Sequence, residues 1–237
     1  MLLAYSTVGG NGEMSFLQQQ TRLTERLGVD RTWDTLRQGL ADIYKSNTLG
    51  QGRYMELYNL VYQYCTSNNL TLPLHSRSLL SGCELLGEQL YTRLRDFLRD
   101  FLHRMAATGL ESQDEALLQY YKVAWNNYIF SSAVTHHIFL YMNRHWIRRV
   151  REDKNDVYEV YSLAMLMWRD SLLVELGSRV TEAVVRLITR ERDGDPINTQ
   201  LVSCIKQSYI DMGVENRRLR CGRLDYYRYS DVAKFQL

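Results

Sequence analysis

Apolar residues recur at spacings of three and four along most of the chain, which is the period of an α-helix with one buried face. Asp30 or Thr32 can cap the first predicted helix. Its apolar face carries Trp33, Leu36, Leu40, Ile43 and Tyr44. No stretch alternates with period two for long enough to predict a strand. The pattern therefore predicts an all-α chain.

Glycines, prolines and polar runs separate the further predicted helices. These helices cover about Gln51–Thr66, Cys83–Met105, Asp114–Phe130, Ser131–Arg151, Asp156–Leu173, Arg179–Arg192 and Asn198–Met212. Gly213 is placed to end the last of them. The polar segment Ser67–Gly82 predicts a surface loop, and residues 224–235 could begin one more helix. Short connections between helices favour a bundle or a solenoid.

The helix predicted near residues 53–66 is apolar on too many sides. At about 100° per residue, its polar side chains share one narrow side of the helix. Apolar residues and tyrosines fill the remaining arc of roughly 220°. A surface helix needs only about 100° of apolar stripe. One flank holds Leu57, Leu60, Val61 and Tyr64, and the other holds Tyr54, Met55, Tyr58 and Tyr62.

The first flank is typical of a core. The second suits a partner, because tyrosine and methionine are favoured at interfaces. Periodicity alone favours the plainer alternative, in which the whole helix is buried in its own domain. The predicted helix 131–151 has the same excess, so the two helices could form a binding face or simply pack on each other.

Composition narrows the class of protein. The chain has 237 residues, 17 tyrosines against 6 phenylalanines, 2 prolines and a net charge of +2. Few prolines favour long helices, and the small charge with only local arginine clusters does not indicate nucleic-acid binding. The run Arg148–Arg151 is typical of a solvated helix end. The 4 cysteines form no CxxC pair, which indicates a reducing compartment.

No apolar run approaches the roughly 20 residues that cross a bilayer, and the start does not resemble a signal peptide. We therefore expect a soluble, cytoplasmic and/or nuclear protein.

No nucleophile elbow, phosphate loop or HExxH motif is present. His136, His137 and His145 lack a carboxylate or cysteine at ligand spacing. No catalytic residue, metal site or cofactor is predicted.

Several short motifs occur in a recognisable order. They are Trp33 with Leu36 and Gly39, the segments 53–58 and 61–66, Tyr128 with residues 130–132, and the segments 141–146, 158–164, 168–170, 197–199 and 207–209. Together they resemble the cullin family, specifically the N-terminal stalk of the SCF-type cullins. The resemblance implies a solenoid of five-helix cullin repeats, with a flexible tail at 1–29, one complete repeat at 30–152 and the start of a second at 153–237.

The resemblance also implies a function, that of a non-catalytic scaffold in a cullin-RING ubiquitin ligase. The first repeat would bind a Skp-type adaptor of BTB fold, and through it F-box substrate receptors. By position, the implied adaptor-binding residues are Tyr54, Met55, Tyr58, Val61, Tyr62, Ile138 and Tyr141.

The sequence ends at Leu237, early in a second repeat. We therefore expect no RING-box subunit among the partners, and a partial or competing scaffold. The alternative is a structural helical protein, or a degenerate or incomplete cullin paralogue, that binds no adaptor.

Overall fold

The computed structural model describes residues 30–67, 81–153 and 156–212. The helices of this part of the chain are α1 (residues 30–46), α2 (Gln51–Ser67), α3 (Ser81–Leu110), α4 (Asp114–Ile138), α5 (residues 140–153), α6 (residues 160–192) and α7 (Thr199–Asp211). No residue of these ranges lies in a strand. The prediction of an all-α chain is therefore confirmed.

Two of the helices contain a π-helical turn. In α5 the turn Asn143–Ile147 lies between Leu140–Met142 and Arg148–Asp153. In α6 the turn Trp168–Leu172 lies between Val160–Met167 and Leu173–Arg192. Each turn includes a buried tryptophan, Trp146 in α5 and Trp168 in α6.

The helix boundary predicted near Ser131 is wrong. Ser131, Ser132 and Thr135 are buried inside α4, which continues to Ile138. The hydroxyl of Ser131 donates to the carbonyl oxygen of Ile43, 3.2 Å away and 88 residues earlier. The hydroxyl of Thr135 donates to the carbonyl oxygen of Ser131 at 2.8 Å. Because these hydroxyls have partners in the core, a polar run continues the helix rather than ending it.

The gap predicted between Leu173 and Arg179 is also wrong, because α6 runs through it. Leu176 and Val180 are buried there and keep the helix packed on the core. Helix α3 also extends beyond the predicted Met105 to Leu110, where Arg179 contacts its end. The Arg179 guanidinium donates to the carbonyl oxygens of Leu110 at 2.8 Å and of Ser112 at 2.9 Å. These contacts satisfy acceptors that the end of a helix leaves without a partner in the helix.

The starts of the first and last described helices can be compared with the predictions. Asp30 and Thr32 are already helical, so Thr32 does not cap α1, and Asp30 instead pairs with Arg93. At α7 the prediction is close, since the Asn198 side chain accepts from the backbone N–H of Gln200 at 3.2 Å. This is an N-cap in the usual sense.

Other predictions fall outside the described residues. These are the tail 1–29, the loop at residues 68–80, the Gly213 cap and the helix at 224–235. Ser67, Ser81 and Gly82, also predicted as loop, are helical. The division into repeats at residue 152 stays a prediction.

An aromatic cluster around Trp168 joins α4 to α6 and α7. The Trp168 ring meets those of Tyr121, Trp125 and Tyr128 at centroid distances of 5.7, 5.1 and 4.9 Å. The Tyr121 hydroxyl lies 2.9 Å from that of Ser208 and accepts from the Trp168 indole N–H at 3.3 Å. Burial raises the pKa of Tyr121 and Tyr128. The hydroxyls therefore stay protonated and serve as hydrogen-bonding parts of the core.

Candidate protein-binding surface

Helix α2 divides its apolar arc between the core and the surface. Leu57 and Val61 are fully buried, and Leu60 packs against the same cluster with partial exposure. The α2 flank that the sequence pattern assigned to the core therefore lies in the core. Its burial fixes which way the opposite flank faces, because side chains on one helix keep fixed angular positions.

The opposite flank of α2 is open to solvent. Met55 is 46% exposed and Tyr62 is 43% exposed. Tyr54 and Tyr58 lie beside them and are half-buried. A salt bridge of 2.7 Å between Arg53 and Glu56 neutralises the two charges at the start of this flank.

Tyr141 of α5 completes this surface. Its ring meets the Tyr62 ring edge-to-face, with centroids 4.8 Å apart and planes at 80°. It also stacks against His145, with centroids 4.3 Å apart and planes at 35°. The Tyr62 contact joins α2 to α5. We call Tyr54, Met55, Tyr58, Tyr62 and Tyr141 the tyrosine patch.

Two phenols of the tyrosine patch, those of Tyr54 and Tyr141, have a raised pKa. Burial raises the pKa of Tyr54, and the neighbouring Tyr58 raises it further. The pKa of Tyr141 is likewise raised, first by burial and then by the neighbouring Tyr62. These two residues therefore offer aromatic faces and protonated hydroxyls, which can donate or accept hydrogen bonds at an interface.

Two residues that the resemblance placed in the contact set are not at the surface. Val61 and Ile138 are both 0% exposed and belong to the core, so a partner cannot reach them. Val61 lies on the core flank of α2. Ile138 ends α4 directly before the bend at Phe139, where α5 begins. The two residues therefore belong to the core and do not contribute to the surface of the tyrosine patch.

Sequence reasoning did not assign His145 to this surface. Its spacing of four residues from Tyr141 is the signal that could have found it, since residues i and i+4 share one helix face. Arg144 comes directly before it and is also exposed.

A buried polar contact holds α5 in place next to α6. The Asn143 side chain accepts from the backbone N–H of Val160 at 3.1 Å, and its amide nitrogen lies 3.1 Å from Nδ1 of His136. Burial, and secondly His137, lowers the pKa of His136 to about 4. His136 is therefore neutral at physiological pH and can accept the Asn143 hydrogen bond.

Within the described ranges, no group of three or more histidine, cysteine, aspartate or glutamate residues could hold a metal ion. Of the helices α1 to α7, none is long and apolar enough to cross a membrane.

The chain is similar to known proteins over most of its length. The family described as Cullin alpha solenoid domain matches residues 33–235. Cullin-1 of Caenorhabditis elegans is 33% identical over 197 residues, covering 78% of this chain and 25% of that protein. Cullin-1 of Dictyostelium discoideum is 32% identical over 209 residues, covering 84% and 27%. Cell division control protein 53 of Saccharomyces cerevisiae is 22% identical over 214 residues, covering 84% and 26%. The chain spans about a quarter of the length of these relatives.

Proposed function

Because the chain belongs to the cullin family, we propose that it is a non-catalytic scaffold module of a cullin-RING ubiquitin ligase. Its tyrosine patch binds a Skp-type adaptor of BTB fold, and through that adaptor it holds F-box substrate receptors. The observation that carries the proposal is the exposed, uncharged aromatic surface that α2 and α5 build together.

The physical properties of the tyrosine patch suit a protein interface. Tyrosine and methionine are enriched at interface cores, and buried aromatic anchors carry most of the binding energy there. The edge-to-face contact between Tyr62 and Tyr141 restricts both rings before a partner arrives. Restricting side chains in advance lowers the entropy lost on binding. Leu57 and Val61 are buried on the core flank of α2, and their packing holds the helix that carries most of the patch.

The test is the affinity of the full chain for a purified Skp-type adaptor, measured by calorimetry. We expect the double variant Met55→Ala/Tyr62→Ala to lose about 2 kcal/mol, roughly a 30-fold weaker Kd, if these are interface anchors. A matched control is Val174→Ala/Val185→Ala, which shortens two apolar side chains of α6 that are 76% and 56% exposed. The control should bind as the wild type does.

The outcomes separate the two candidate functions. Equal adaptor affinity of the wild type and the Met55/Tyr62 variant refutes the assignment of this surface. Absence of wild-type binding at micromolar concentrations favours the alternative, a structural helical protein or degenerate paralogue without an adaptor. We further propose a cytoplasmic and/or nuclear location, which imaging of the tagged full chain in cells would test.

A further inference from the structure

Among the residues that the structure describes, no carboxylate pairs with three arginines of α5. Arg144, Arg148 and Arg149 are exposed, and no carboxylate of the described residues lies within ion-pair distance of them. By contrast, Arg151 lies 3.5 Å from the carboxylate of Glu159. We call Arg144, Arg148 and Arg149 the arginine run.

The arginine run continues the face of α5 that carries Tyr141. The ring contact between Tyr141 and His145 shows which residues share that face. Burial places the arginines on the same side of α5 as His145, because residues 144, 145, 148 and 149 are exposed whereas 142, 143, 146, 147 and 150 are buried. Arg148 follows Tyr141 by only seven residues, so it lies within roughly 10 Å of it along the axis.

The tyrosine patch holds no acidic side chain that could pair with these arginines. At its start, Arg53 is already paired with Glu56, and Glu152 of α5 forms no ion pair with the run among the described residues. Three positive charges therefore border an uncharged aromatic surface. The Debye length is about 8 Å at physiological ionic strength and about 30 Å at 0.01 M, so the effect of these exposed charges on a docking protein is strongest at low salt.

Interaction with the helix dipole does not account for the whole run. That effect falls off within the last turn of a helix. Helix α5 ends at Asp153, so Arg144 and Arg148 lie more than one turn before its end. The run is also too narrow for the broad basic surface that nucleic-acid binding requires.

We propose that the arginine run is a steering surface for an acidic region of the adaptor next to the area that contacts the tyrosine patch. This inference rests on the proposed function. It adds that the adaptor surface facing the arginine run is negatively charged. Complementary charges at the rim of an interface act mainly on the association rate and its salt dependence, whereas the buried anchors set the dissociation rate.

The experiment measures association and dissociation rates of the full chain with a purified Skp-type adaptor, from about 0.01 M to about 1 M salt. For Arg144→Gln/Arg148→Gln/Arg149→Gln we expect an association rate about 10-fold lower at low salt, which is within the range of electrostatic steering. The dissociation rate should change less than about 2-fold, and the difference in association should vanish at high salt.

The control removes the same charge far from the patch. Arg186→Gln/Arg190→Gln/Arg192→Gln lies beside the start of α4, where Arg186 contacts Asp114 at 2.7 Å. The length of α4 separates that end from Ile138 by roughly 36 Å, several Debye lengths. This variant should keep the association rate of the wild type. Circular dichroism checks that both triple variants are folded.

The inference is overturned if both triple variants show the same salt dependence. It is also overturned if the arginine-run variant loses only retention on DNA and keeps the wild-type adaptor rates. Failure of the proposed function looks different, since then the Met55→Ala/Tyr62→Ala variant binds as the wild type does, or no variant binds at all.

Discussion

Replacing Gly87 by alanine tests how tightly α3 and α5 are packed on each other. A Cβ at Gly87 would meet the Cδ1, Nε1 and Cγ atoms of the Trp146 ring, with Cγ at 2.5 Å. Cβ atoms essentially never approach another atom within 3.0 Å. The added methyl group therefore requires the ring or one helix to move.

Two effects of opposite sign set the magnitude. Alanine in a helix interior is about 1 kcal/mol more favourable than glycine. Overpacking a core costs about 1–3 kcal/mol. Trp146 is 7% exposed and packs on the Tyr91 ring at 5.6 Å, and the Tyr91 hydroxyl donates to the Tyr158 carbonyl oxygen at 3.1 Å. Because the ring has little room to move, we use the upper figure and expect a net loss of about 2 kcal/mol.

The assay is equilibrium denaturation of the full chain together with its Tm. A loss of about 2 kcal/mol lowers Tm by about 4–8 °C for a domain of this size. Gly177→Ala is the matched control, since its Cβ would meet Leu173 Cβ at 3.7 Å, an ordinary contact. That variant should gain about 1 kcal/mol. If Gly87→Ala stabilises the chain as Gly177→Ala does, the packing of Trp146 against α3 is not as the structure has it.

Three further changes test the interior. Tyr121→Phe leaves the Trp168 indole N–H and the Ser208 hydroxyl without that partner, and should cost about 1–3 kcal/mol in urea denaturation. The pKa of His136 falls from 6.5 to about 4 on folding. The wild type should therefore lose stability relative to His136→Gln as pH falls from 6.5 to 4, because only the unfolded chain binds the proton there; equal pH profiles would contradict this. Arg179→Gln removes the hydrogen bonds to the carbonyl oxygens of Leu110, the last residue of α3, and of Ser112, and hydrogen exchange at that turn should rise.

Hydrophobic periodicity was sufficient for the helices and for the core flank of α2. Leu57 and Val61 follow the 3.6-residue period and are buried as that pattern indicates. Periodicity reports how many sides of a helix are apolar. It does not report whether an apolar side meets the chain's own core or a partner, because both environments favour the same residue types. For Tyr54, Met55 and Tyr58 only the resemblance to cullins predicts a partner, and that assignment stays a prediction.

Only the tertiary structure decided where the helices end and which predicted contact residues reach the surface. Ser131 looks like a boundary in the sequence, yet its hydroxyl bonds the carbonyl of Ile43, 88 residues away. Ile138 looks like part of a binding face, yet it is fully buried. Likewise, the contact between Tyr62 and Tyr141 joins two helices distant in the chain. Local patterns determine local structure, whereas hydrogen-bond partners and burial depend on residues that only folding brings together.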